Sequence, residues 1–128
     1  MQLTFDFTKF QKVNNVNNRY GRQIAALTDA NKDTKGIVQT VDDAMRRVLD
    51  DRQNAFVIYG EPQSGKTEMM IALTAKLLDE GRKTIILLLN DSVQLLNQNL
   101  SRFRRSGLDP APRSFAEILD PAVDVKDV

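Results

Sequence analysis

Residues 60–67 run Gly60, Glu61, Pro62, Gln63, Ser64, Gly65, Lys66, Thr67, an order of residue types suited to gripping phosphate. In a G-x-x-x-x-G-K-[ST] loop, successive backbone N–H groups turn inward onto phosphate oxygens, and here the backbone from Glu61 through Gly65 would form that cradle. Lys66 supplies a point charge at the β and γ phosphates of a nucleoside triphosphate. The Thr67 hydroxyl is placed to hold Mg²⁺. A helix that starts at the loop turns its positive dipole end toward the same anion. Lys66 and Thr67 are thus the residues to which chemistry is assigned. The bland alternative is a glycine-containing turn with a chance lysine.

The motif needs a strand before it and a helix after it. Residues 55–59 are a short apolar, β-rich run, read as the strand. Met69, Met70, Leu73, Leu77 and Leu78 recur at helical spacing, and Gly81 is suited to cap that helix beyond Glu80. Residues 84–89 form a continuous apolar run, the pattern of a buried parallel strand. Asp91 and Gln94 have capping-box spacing, and Val93, Leu96, Leu100 and Phe103 mark the apolar stripe of a following helix. Upstream, Leu3, Phe5 and Phe7 alternate with polar residues as in a strand. Phe10, Val13, Val16, Tyr20, Ile24 and Leu27 then suggest a helix, weakened by Asn14, Asn15, Asn17 and Asn18. Residues 31–36 read as a loop. Thr40 reads as a helix N-cap, with Asp42 and Asp43 in the first turn and Val41, Ala44 and Val48 on one face. Pro110, Pro112 and Pro121 break up the remainder, and residues 122–128 carry little apolar content. Alternating strands and helices predict an α/β fold: a parallel sheet flanked by helices, the loop at the carboxyl end of its strand. A short β-α segment over residues 1–35 precedes this domain at 36–119, with a flexible tail at 120–128.

The 128 residues allow one domain at most. The composition, 41% hydrophobic and 27% charged with a net charge of +1, is that of an ordinary globular chain without a global field for nucleic acid or membrane. There is no Cys and no His, which excludes disulfides, zinc ligation by these residues, thiol nucleophiles and Ser-His-Asp chemistry. No apolar run approaches the length of a membrane helix, and Met1, Gln2, Leu3, Thr4 do not begin a signal-peptide pattern. The expected setting is the cytoplasm.

The run Glu61, Pro62, Gln63, Ser64, Gly65, Lys66, Thr67 resembles motif I of superfamily-two (DEAD/DEAH-like) helicases and translocases. Gln39, within Ile37, Val38, Gln39, Thr40, Val41, is similar to the adenine-reading glutamine of these enzymes and precedes the expected helix. Its amide can donate to and accept from an adenine edge at once. The other reading of Gln39 is a solvated residue at the start of a helix. Leu88, Leu89, Asn90 and Asp91, followed by Leu95, Leu96, Asn97 and Gln98, are similar to motif Ia, whose strand end and helix start contact the nucleic-acid backbone. Asn90, Ser92 and Gln98 are the candidates here, Ser92 having a simpler part as a helix cap. Two departures stand out: Gln63 occupies a position that is commonly Gly, and Asn90 one that is commonly Pro. The resemblance covers about residues 36 to 105.

It implies a partial P-loop NTPase (RecA-like) domain that binds ATP and Mg²⁺, the start of a nucleic-acid motor acting on DNA. The chain resembles the start of large helicase-like proteins found in bacterial restriction and defence systems. The Asp-Glu pair that holds Mg²⁺ and orders water is not found in the sequence, so hydrolysis by this chain alone is expected to be very weak. In RecA-like sheets later strands lie between the two read here, so a second chain or copy is expected to complete the sheet. Arg102, Arg104 and Arg105 are either phosphate contacts or cations favouring a helix C-terminus. Two other functions remain open: a different phosphate-loop protein such as a small kinase or AAA-type ATPase, and a non-catalytic assembly module that retains the loop.

Overall fold

The computed structural model describes residues 17–61, 65–89 and 92–122. The expectations for Leu3, Phe5, Phe7, Phe10, Val13 and Val16 lie outside these residues. The chain divides into two compact units, Met1–Ile85 and Ile86–Val128.

The first unit holds three helices: α1 (Arg19–Asp29), α2 (Lys35–Leu49) and α3 (Lys66–Asp79). Asn18 starts α1, its side-chain oxygen accepting from the Gly21 N–H at 2.7 Å. An asparagine read as weakening the helix therefore nucleates it, because a short side chain at the N-cap satisfies an otherwise orphan N–H. The end of α1 is closed by Asn31 in the left-handed region (φ 57°). The Asn31 N–H donates to Thr28 O and the Lys32 N–H to Leu27 O, both at 3.0 Å, which is the Schellman arrangement. Helix α3 ends the same way around Gly81 (φ 84°), with Gly81 N–H to Leu78 O and Arg82 N–H to Leu77 O at 3.0 Å, as the sequence predicted.

Helix α3 packs against both α1 and α2. Its buried face is Ile71, Ala72, Thr74 and Ala75, while Met69, Met70, Leu73, Leu77 and Leu78 are only half-buried. Ala72 and Ala75 are completely buried, and side chains this small let neighbouring helices approach closely. The Thr74 hydroxyl donates to Met70 O at 2.8 Å and so meets no penalty in the interior. Tyr20 of α1 and Val41, Ala44 and Met45 of α2 complete this core. Asp79, the last residue of α3, accepts from the backbone N–H groups of Arg19 (3.2 Å) and Tyr20 (2.9 Å) and from the Arg19 guanidinium (3.3 Å). One carboxylate thus joins the end of α3 to the positive end of α1. Helix α2 begins at Lys35, after Thr34, rather than at Thr40, so Gln39 lies inside the helix and not before it.

The second unit holds α4 (Val93–Arg105) and α5 (Phe115–Ile118) around a small interior containing Phe103 and Leu108. Ser92 caps α4, accepting from Leu95 N–H at 3.4 Å. Of the expected stripe only Phe103 is buried; Val93 is 71% exposed. Ser114 and Glu117 form a capping box on α5.

The expected RecA-like parallel sheet is not seen among the described residues. Among the described residues there is no strand, and the described elements are all helices. Residues 55–59 and 84–89 are extended in sequence character but carry no ladder. Phe56 and Ile58 are half-buried while Val57 (91%) and Tyr59 (87%) are exposed; Leu88 is 91% exposed. A helix satisfies its backbone internally, whereas a strand needs a neighbour for every N–H and C=O. Apolar, β-branched composition predicts the preference for extension and cannot supply that neighbour.

Candidate functional site

The two ends of the glycine loop are brought together by its own lysine. Lys66, the first residue of α3, is exposed, and its Nζ donates to the Gly60 carbonyl at 2.8 Å. Gly65 stands at the N-cap in the left-handed region (φ 79°, ψ 28°) and turns the chain directly into the helix. An L side chain is strained in that conformation, so the second glycine of the motif is required by the backbone. No side chain caps α3 at Gly65, and the first backbone bond of the helix runs from Met69 N–H to Gly65 O at 3.0 Å. The positive end of the helix, Lys66 and the half-buried Thr67 therefore occupy one turn. Glu61 is exposed; Pro62, Gln63 and Ser64 lie outside the described residues.

This arrangement suits an anion. A lysine on a neutral carbonyl exchanges readily for a charged phosphate oxygen, since charge-assisted hydrogen bonds are about twice as strong as neutral ones. Close by, the Glu68 carboxylate meets the Lys32 ammonium at 3.0 Å. Glu68 is the third residue of α3 and turns back toward Gly65, its Oε2 3.9 Å from the point a Gly65 Cβ would occupy. Neither Lys32 nor Glu68 is part of the motif, and no spacing rule in the sequence pairs residues so far apart.

Gln39 is exposed on α2 and lines a shallow groove of about 500 Å³ with Thr34, Lys35, Val38, Asp42 and Asp43. The groove offers an amide and two carboxylates, acceptors for the amino groups of a base, beside the Lys35 ammonium. Helix α2 packs on α3, the helix that starts at the loop, so both candidate segments belong to one unit.

The nucleic-acid candidates separate. Asn90 lies outside the described residues. Ser92 spends its hydroxyl oxygen on the α4 N-terminus. Gln98 lines a second shallow groove of about 460 Å³ on α4 with Gln94, Asn97, Ser101, Arg102 and Arg105. Arg104 points elsewhere: it grips Glu117 through both carboxylate oxygens, at 2.6 and 2.7 Å, and so anchors α5. The Glu117 carboxyl is held below its usual range by the Ser114 N–H and by that guanidinium. Arg104 thus serves structure, a part that the S-x-x-E spacing of Ser114 and Glu117 could have suggested.

Residues 19–121 match the family described as type III restriction enzyme, res subunit. The matched segment runs from the first residue of α1 to beyond the end of α5. The chain belongs to the type III restriction enzyme res-subunit family. It carries a helicase-like region of a restriction system, of a kind that is ATP-dependent as a class and works on nucleic acid. No curated protein and no solved structure gives a match. In this res-subunit chain no described helix is long and apolar enough to cross a membrane.

Proposed function

We propose that residues 60–67 are the ATP grip of this restriction-system motor. Lys66 neutralises the β and γ phosphates, Thr67 holds Mg²⁺, and the backbone from Gly60 to Gly65 cradles oxygens. The observation that supports it most is the turn at Gly65. A left-handed glycine delivers Lys66 and Thr67 into the first turn of a helix, and Lys66 rests on Gly60 at the loop's other end. Gln39 is proposed to read adenine from the acceptor-lined groove on α2. The proposed nucleic-acid partner is DNA, met by the face of α4 that carries Gln98, Arg102 and Arg105. Among the described residues that face has amides and guanidiniums and no carboxylate, and Arg or Lys on phosphate is the main source of such affinity. The cytoplasm, where ATP and DNA are both present, is the proposed setting.

The test is titration of wild type and Lys66→Ala with a fluorescent ATP analogue in Mg²⁺. Loss of one charge-assisted phosphate contact is expected to weaken binding by roughly ten-fold or more. Equal affinities would overturn the reading. Thr67→Ala is expected to weaken binding in Mg²⁺ and to change little in its absence.

A further inference from the structure

We infer that Lys32 is a positioning residue for the phosphate grip: it neutralises Glu68, whose carboxylate would otherwise repel the phosphate that the loop holds. This rests on the reading of residues 60–67 as an anion site. Glu68 presents a puzzle in that site. Its side chain turns back over Gly65, so a negative charge lies against the same helix end that is to attract phosphate. A carboxylate in the first turn is favoured by the helix dipole, which helps the helix and competes with the ligand. The Glu68 side chain is half-buried, at 16% exposure, so water screens it only in part. The Lys32 ammonium at 3.0 Å cancels that charge.

The placement of Lys32 is built into the backbone. Lys32 is the residue after left-handed Asn31, and its N–H closes the end of α1 on Leu27 O at 3.0 Å. This lysine is delivered to the start of α3 by a fixed helix stop, while its own side chain stays 53% exposed. The end of α1 thereby tunes a loop that begins 28 residues later in the chain. A shield of this kind acts through Glu68 and needs no contact between Lys32 and the ligand.

The experiment is a double-mutant cycle on the full chain, read as the dissociation constant of a fluorescent ATP analogue with Mg²⁺. K32A is expected to weaken binding by about five-fold at low salt, the size of an unshielded charge several ångströms from phosphate. The effect should shrink at about 0.5 M salt, where the screening length falls to a few ångströms. K32R should retain wild-type affinity. E68Q should bind at least as tightly as wild type, and K32A combined with E68Q should recover that affinity, because the charge to be shielded is gone. If K32A is weak and E68Q does not rescue it, Lys32 touches the ligand directly and the shield is wrong. If K32A binds like wild type while K66A does not, the shield is wrong and the grip stands. If K66A also binds like wild type, the grip itself fails. Should K32A unfold the chain, K32R and the double variant decide between the same outcomes: wild-type affinity in both supports the shield, and weak binding in the double variant overturns it.

Discussion

Two side chains of the first unit show how much a single atom can decide. Lys66 places its ammonium on Gly60 O, which holds the loop closed on itself and leaves the charge ready for a stronger partner. Tyr20 shows the opposite case. Its ring is in the core, under the Lys76 ammonium at 5.4 Å, yet its hydroxyl is buried with no hydrogen-bond partner among the described residues. An orphan hydroxyl costs about 1–3 kcal/mol of desolvation. Tyr20→Phe is therefore expected to leave stability unchanged or raise it by about 1 kcal/mol in urea unfolding. A loss of that size would mean that the hydroxyl has a partner. Burial, and then the nearby Asp42, push the Tyr20 phenol up to about 12 from 10.0. The folded state thus favours the neutral phenol. The stability it contributes is full below pH 10 and is lost as pH rises toward about 12; Tyr20→Phe should abolish that alkaline loss.

Among the elements, the helices are explained by their ends. Asn18, Asn31, Gly81, Ser92 and Ser114 each satisfy or redirect orphan backbone groups, and most of these residue types announce themselves in sequence. Helix α5 depends most on such chemistry, having one turn and no buried residue. It is held by the Ser114–Glu117 box and by Arg104. Because the Glu117 carboxyl is depressed, its contribution is present above the ordinary carboxylate range and is lost as pH falls through the lowered value. Amide protection of residues 115–118 is expected to fall in acid below that range, and at neutral pH in Glu117→Gln. Protection that persists in both would assign the hold on α5 to packing. Residues 55–59 and 84–89 failed as strands for the reason that α5 succeeds: a helix turn closes its own bonds, and a strand cannot.

At the scale of the molecule, α3 is the shared member of the first unit. It carries the loop at its start, the small residues Ala72 and Ala75 in its middle and the Asp79 anchor at its end. Ala75→Leu is expected to cost about 1–3 kcal/mol by overpacking against its neighbours, with a smaller cost to nucleotide affinity. Chemical denaturation alongside the ATP-analogue titration measures both. An unchanged midpoint would show that the packing tolerates a larger side chain there.

The phosphate-loop reading rests on residues alone, because Gly, Lys and Thr at that spacing have few other uses. The helix after it and its Gly81 stop were legible for the same local reason, as was Ser92 as a cap. The interior was read less well: hydrophobic size pointed to Met69, Leu73 and Leu77, while the tightest packing fell on Ala72 and Ala75. Size measures what burial would gain, and helix approach rewards what is absent. The sheet was misread because local pattern predicts an extended segment and not its pairing. The Lys32–Glu68 pair had no sequence signal at all, since it joins the stop of one helix to the start of another. The sequence by itself carries the proposal of a grip, because phosphate-loop chemistry is a property of contiguous residues. Tertiary structure alone decided which charges surround the grip and which segments pair, because both depend on residues far apart in the chain that only packing brings together.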